Sequence, residues 1–263
     1  LGIHEEDFVI GKIARSHVAK WSDLILDMMP YLVKLVPNVK FIIIGVPQSR
    51  LKRIKKSSYK DNIIILPETT DESVIHRFYQ TIDVLAHSSK IGECNGNTIN
   101  EAMFWGKPVI VNSTPTKDNG QLEQVEHMIT GIIANTPQTY ARAIEHVYRN
   151  SEIRAEMGKN SIKKVLKEYD PGHITGMLEK YIIERMVSKK IDVPSEVEEH
   201  AEKIQYSPDE EEVRGYVRVY QERLELEFGS LTWGEEIQNI CSVPAHVLRK
   251  ITDSLEGRYG IKL

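Results

Sequence analysis

Two carboxylates, Glu93 and Glu101, lie eight positions apart in the run Glu93-Cys-Asn-Gly-Asn-Thr-Ile-Asn-Glu101, and Ala102-Met-Phe-Trp-Gly-Lys-Pro-Val-Ile-Val111 follows directly. The pattern predicts a tight loop, a helix over about Asn97–Trp105, and a buried strand over Pro108–Val111. A helix start leaves backbone N–H groups unpaired and carries partial positive charge, so it suits an anion. Gly96 lets such a ligand approach the backbone closely. Glu101 falls about one turn inside the helix and Glu93 on the loop before it, so they are not an i,i+4 surface pair. They suit opposite ends of one elongated ligand, such as a nucleotide diphosphate with hydroxyl-rich sugars at both ends.

The elements that must hold this loop alternate. Continuously apolar runs predict strands at residues 8–14, Val39–Gly45, Ile63–Leu66, Asp83–Ala86, Pro108–Val111 and Gly131–Ile133. Helical spacing falls at Ser22–Val36, Glu72–Gln80, Asn97–Trp105 and Pro137–Arg149. Strands without polar alternation are buried on both faces, which marks a parallel sheet covered by helices. The expectation is an α/β, doubly wound, Rossmann-like domain. Two further helices, about Ser151–Glu168 and Pro171–Met186, close it, with Asp170-Pro171 as the break between them. This places a nucleotide-sugar-binding domain at residues 1–186 and an all-helical extension at 187–263. Within the extension, Ser207 opens a helix striped by Val213, Tyr216, Val217, Tyr220 and Leu224, Thr232–Glu235 forms a capping box, and Pro244 opens a last helix.

Composition narrows the class. A chain of 263 residues with 41% hydrophobic and 27% charged residues is ordinary for a globular protein. No apolar run reaches the ~20 residues of a membrane span. Cys94 and Cys241 give neither a disulfide framework nor metal-ligand spacing, so no metal site is expected and a cytoplasmic setting, free or peripheral to a membrane, is the default. From Arg185 to Leu263 there are 11 Lys and Arg against 16 Asp and Glu. That acidity makes nucleic acid an unsuitable partner, although Glu235–Cys241 and Pro244–Lys250 superficially resemble a helix-turn-helix. A docking or packing role suits the extension better.

Four landmarks in order carry a family resemblance. They are Gly11-Lys-Ile-Ala-Arg15 with Lys20-Trp-Ser; Phe41-Ile-Ile-Ile-Gly45; the Glu93…Glu101 pair with Gly106-Lys-Pro; and Asn119-Gly-Gln-Leu-Glu123 with Thr130-Gly-Ile-Ile133. Over roughly residues 1–184 the chain resembles the C-terminal, donor-binding half of a GT-B fold, group 1 (family 4-like) retaining glycosyltransferase. The resemblance implies that Glu93 meets hydroxyls of the donor sugar and that Glu101 holds the ribose. It implies that Arg15 and Lys20 face the diphosphate, helped by the amides of Gly96, Asn97 and Thr98. Gly45, Asn119 and Gly120 occupy the remaining landmark positions and are candidate substrate contacts. Catalysis would then rest on Glu93, Arg15 and Lys20, through fixed donors aimed at charge developing on the leaving group. No Asp-x-Asp motif is present, so metal-independent transfer is expected, with the nucleotide-sugar as substrate and no cofactor.

Several positions depart from the family pattern. Lys12 stands where an arginine follows the first-strand glycine, and lysine lacks the bidentate fork, so Arg15 is expected to take that role. Trp21 replaces a glycine after the phosphate lysine. The resemblance also implies an acceptor-binding domain, in the full enzyme or on a partner chain, without which the chain binds a nucleotide-sugar but turns over poorly. The competing reading is a non-catalytic nucleotide-sugar-binding or scaffold subunit docking through its helical tail. A nicotinamide-dependent enzyme is disfavoured, since no Gly-x-Gly-x-x-Gly follows the first strand. His87 is expected to be a hydrogen-bonded structural histidine, Cys94 a small packed residue, and His17 exposed.

Overall fold

The computed structural model describes residues 1–115 and 117–204. The expected helices beyond Ser207 therefore lie outside the described residues. Six strands, β1 (Phe8–Ile13), β2 (Val39–Ile44), β3 (Ile63–Leu66), β4 (Val84–His87), β5 (Val109–Val111) and β6 (Gly131–Ile133), pair in the order β3-β2-β1-β4-β5-β6. Every pairing is parallel, with Phe8 opposite Val39 and Ile10 opposite Val84. The order reverses around β1, which has β2 on one side and β4 on the other. In open α/β sheets the crevice outside the carboxyl ends at such a reversal is where ligands bind.

Among the described residues ten α-helices cover the sheet and extend it: α1 (Leu24–Asp27), α2 (Met29–Leu35), α3 (Gln48–Lys56), α4 (Glu72–Thr81), α5 (Asn97–Phe104), α6 (Gln121–Gln124), α7 (Pro137–Arg149), α8 (Ser151–Glu168), α9 (Pro171–Ser188) and α10 (Ser195–Lys203). The two faces of β1 sort them. Phe8 and Ile10 pack with Ile25, Leu26, Leu32, Tyr140 and Ile144 of α1, α2 and α7. Val9 and Ile13 pack with Phe78, Tyr79, Ile99, Met103 and Val165 of α4, α5 and α8. Alternation along a strand sends successive side chains to opposite faces, so an apolar strand feeds both cores.

Several elements differ from the sequence expectation. The helix over Ser22–Val36 is interrupted at Met28, because Pro30 has no N–H to offer the Leu26 carbonyl. Tyr59 Oη–H donates to that carbonyl instead, at 3.1 Å. Helix α3 was not expected: it buries only Ile54 and is otherwise mostly cationic and polar, so it carries little apolar periodicity. Its Arg50 and Arg53 pair with Asp23, and Arg53 also with Asp27. Helix α9 runs two residues beyond Met186, and α10 folds back onto it, with Lys180 Nζ donating to the Ile204 carbonyl at 3.0 Å.

Candidate functional site

The loop from β4 to α5 is held from beneath by two glutamines of α6. The Glu93 amide donates to Gln121 Oε1 at 3.0 Å, and the Gly96 amide to Gln124 Oε1 at 2.9 Å. Gln121 Nε2 returns to the Asn112 carbonyl and Gln124 Nε2 to the Gly96 carbonyl. Both side chains are buried, so their hydrogen-bonding groups are satisfied by loop backbone rather than by water. Gly120 closes the contact, its amide donating to the Glu93 carbonyl at 2.6 Å. A Cβ there would lie 2.2 Å from the Cys94 carbonyl oxygen, so a larger residue would force the two segments apart.

A charged cluster sits on this loop. Lys20 Nζ donates to Glu93 Oε2 at 2.7 Å. His87 Nε2, at the end of β4, lies 3.3 Å from Glu93 Oε1 but at an angle that leaves it without a well-formed hydrogen bond. His87 Nδ1 lies 3.3 Å from Thr98 Oγ1. That arrangement fits the tautomer with its proton on Nε2 and the threonine hydroxyl donating to Nδ1. Lys12, at the end of β1, is fully buried, with Nζ donating to the Ser88 carbonyl at 2.8 Å and lying 5.0 Å from the centre of the Trp21 ring.

These groups set one another's charge. Burial drives Lys12 down to about 7, against the pull of Glu93 and with the push of Lys20. Burial likewise drives His87 down to about 4, so the imidazole is neutral at pH 7. Burial alone would raise Glu93, but His87 and Lys20 beside it bring its carboxyl down to about 2. The cluster therefore holds a fixed carboxylate, a surface-reaching ammonium, and a buried lysine near its point of neutrality.

Next to the cluster, a cavity of about 880 Å³ is lined by Arg15, Glu68, Thr69, His76, Thr98 and Glu101 among others. Thr98 bridges the two parts, with its hydroxyl on His87 and a place in the cavity wall. On the cavity wall Tyr79, whose side chain is otherwise buried, donates to Glu101 Oε2 at 2.7 Å. At the start of α5, Ile99 and Asn100 donate to the Gly96 carbonyl, while the Asn97 and Thr98 amides donate to no described group. An anion meeting that end would find two open N–H groups, one cation and the helix dipole.

The expected residues divide accordingly. Arg15, Thr98 and Glu101 share the cavity; Lys20 and Glu93 share the cluster beside it; exposed Asn97 lies at the helix start between them. Gly96 is present at that start, but its amide is committed to Gln124 and is not open to a phosphate. Gly45, Asn119 and Gly120 do not line the cavity. Gly45 has φ +77°, and a Cβ there would lie 2.0 Å from the Ala14 carbonyl oxygen, so it serves the turn after β2. Asn119 Oδ1 accepts from the Thr114 amide at 2.8 Å, bracing the loop that carries Gly120. Cys94 is exposed rather than packed, and its thiol, which donates to Asp118, is pushed up and away from the nucleophilic form.

Four participants were not picked out from sequence as site residues. Lys12 had a signal, a charge inside a continuously apolar strand. Gln121 and Gln124 had none, because a buried glutamine looks like any polar helix residue until its partners are known. Tyr79 reads as core, and only its Oη distinguishes it. Among the described residues no group of three or more His, Cys, Asp or Glu side chains could hold a metal ion.

A six-stranded parallel sheet with this order, and a helix start with open amides beside a cavity, defines a doubly wound, Rossmann-type unit. Residues 1–164 match the family described as "Glycosyl transferases group 1", and the chain belongs to that family. The putative glycosyltransferase YtcC of Bacillus subtilis is 31% identical over 110 residues, which is 41% of this chain and 26% of that protein. The human alpha-1,3/1,6-mannosyltransferase ALG2 is 28% identical over 142 residues, 53% of this chain and 32% of that protein. The alpha-monoglucosyldiacylglycerol synthase of Acholeplasma laidlawii is 27% identical over 163 residues, 61% of this chain and 40% of that protein. The chain thus spans two-fifths or less of these relatives' lengths. Among solved structures, Anabaena HepE in complex with UDP superposes with a TM-score of 0.58 at 22% identity, over 68% of this chain and 49% of that one. The C-terminal domain of the group 1 protein LpcC from Francisella tularensis superposes with a TM-score of 0.54 at 20% identity, over 62% of this chain and 87% of that one. At those identities the superpositions speak to the fold.

Proposed function

We propose that the chain is the donor-binding half of a retaining, metal-independent glycosyltransferase, which moves a sugar from a nucleotide-diphosphate carrier to an acceptor hydroxyl. The observation that carries this reading is the division of labour around α5: open amides at its start, Lys20 and Glu93 on one side, and Glu101 in the cavity on the other. The diphosphate meets the Asn97 and Thr98 amides and Lys20, the ribose meets Glu101, and the sugar meets Glu93. Arg15, on the cavity wall, faces the phosphates from the nucleoside side. Lys12 lies too deep to touch the ligand and adds charge from behind.

The leaving nucleoside diphosphate gains negative charge as its bond to the sugar breaks. Amides and cations already fixed around it stabilise that charge without reorganising, which is the largest contribution such a site makes. In this reading retention comes from attack on the same face that the diphosphate leaves, with Glu93 paired to Lys20 and no covalent nucleophile assigned among the described residues. The acceptor-binding half is a further domain or a partner chain. HepE is described with UDP bound, and that supports a uridine or other nucleoside diphosphate as the ligand class. We place the protein in the cytoplasm, in keeping with a sequence that has two cysteines and no disulfide framework.

The test is a thermal-shift panel of UDP-, GDP- and ADP-sugars against the wild type and Glu101→Ala. A ligand that binds only the native state raises the melting point with the logarithm of its concentration relative to Kd, so at equal concentrations one base should stand out and Glu101→Ala should abolish its effect. A flat panel, or a shift that survives Glu101→Ala, contradicts the assignment. Incubation with the labelled donor, with and without an acceptor-binding partner, separates an enzyme from a binding subunit.

A further inference from the structure

We propose that Tyr79 is a positioning residue that sets the protein's preference for a ribonucleotide, by fixing the carboxylate of Glu101. This rests on the reading of Glu101 as the ribose-binding group. Glu101 is exposed in the cavity wall on the first turns of α5, where a glutamate has several rotamers to choose from. Tyr79 removes that choice. Its ring is buried in the core against Phe78, edge to face at 5.1 Å between centres, so its Oη is delivered to one point. There it donates to Glu101 Oε2 at 2.7 Å and lies 3.3 Å from the Thr98 carbonyl.

A phenol has one proton to give, and the shorter contact takes it. The hydrogen bond to an ionised carboxylate is the strong, charge-assisted kind. Glu101 thereby has one oxygen held from behind while the other remains for the ligand. A pair of vicinal hydroxyls is best recognised by an acceptor that is already in place, because freezing a mobile acceptor on binding costs affinity. A core tyrosine that merely satisfied its hydroxyl would not need to reach the one carboxylate of the cavity's α5 wall.

The experiment titrates the full 263-residue chain with UDP, GDP and ADP, then repeats the tightest binder as its 2′-deoxy and 3′-deoxy forms. Wild type should prefer the ribo form by about 10-fold or more, the loss expected when a polar group at a site is left unpaired. Tyr79→Phe keeps the ring and removes the hydroxyl; it should weaken the ribo form by most of that factor, leave the deoxy forms unchanged, and so collapse the preference. Glu101→Asp keeps Tyr79 but shortens the acid's reach, and should collapse the preference in the same way. If Tyr79→Phe retains the full preference, or weakens ribo and deoxy forms equally, Tyr79 is structural and the proposal fails. If the wild type has no preference, or Glu101→Ala keeps it, the ribose assignment itself fails and takes this inference with it.

Discussion

Lys20 Nζ lies 2.7 Å from Glu93 Oε2, so the cation assigned to the diphosphate and the acid assigned to the sugar are bonded to each other. Glu93 is buried on a loop braced by Gln121, whereas Lys20 is about one-third exposed at the end of a flexible stem. The carboxylate is thus the fixed partner and the ammonium the movable one. A diphosphate competes with Glu93 for Lys20, and the sugar then inherits the carboxylate.

That competition gives opposite signs for the two variants. Lys20→Ala should weaken nucleoside diphosphate binding about 10-fold, the order expected for one charge-assisted contact. Glu93→Gln frees Lys20 and should leave that affinity equal to or tighter than wild type. Calorimetry with the diphosphate alone, without sugar, reads both; weakening in Glu93→Gln would contradict the account.

Lys12 makes stability rise with alkaline pH. Its folded value of about 7 lies below the ordinary 10.5, so between those limits the unfolded chain binds the extra proton. Stability then increases as pH rises through that window, by up to about 1.4 kcal/mol per pH unit. Denaturant melts at pH 7, 8 and 9 should show the rise, and Lys12→Met should flatten it. The same lysine predicts proton uptake when a diphosphate binds at pH 8, readable as buffer-dependent binding heat.

Glu93 works at the other end of the scale. Its carboxyl is held at about 2 against an ordinary 4.5, so its contribution is present above 4.5 and is lost as pH falls toward 2. Glu93→Gln should therefore cost stability at pH 6 and far less at pH 2. Urea melts at the two values decide it.

Trp21 is 1% exposed, donates its indole N–H to the Arg15 carbonyl at 3.0 Å, and packs against Lys12. Trp21→Ala should cost about 3–5 kcal/mol, as emptying a large core site does. It should also loosen the segment carrying Arg15 and Lys20, so nucleotide affinity falls with stability. A melting point within a degree or two of wild type would show that the core collapses around the gap.

The sheet was legible because its strands are uninterrupted runs such as Phe41–Ile44, which only burial on both faces explains. The helix at Asn97 was legible because Gly96 and the apolar Ile99, Ala102 and Met103 mark its start and its buried face. Helix α3 was not, since charge pairing to Asp23 and Asp27 rather than an apolar stripe helps to seat it. Glu93 and Glu101 stood out by spacing, but which amides remain open did not. That depends on Gln124 reaching across from α6 to occupy Gly96, a contact between residues 28 apart in sequence. Gly45 and Gly120 look like ligand glycines in sequence, yet both are required by backbone carbonyls that pass too close for a side chain. The hydrogen bond from Tyr79 to Glu101 is invisible for the same reason: its meaning lies in where one phenol oxygen ends.

The central claim is best tested by a crystal structure of the full chain soaked with the tightest-binding nucleoside diphosphate. The phosphates should lie on the Asn97 and Thr98 amides with Lys20 turned from Glu93 onto them, and the ribose hydroxyls on Glu101. Phosphates bound away from the start of α5, with Lys20 still on Glu93 and no ribose contact to Glu101, would contradict it.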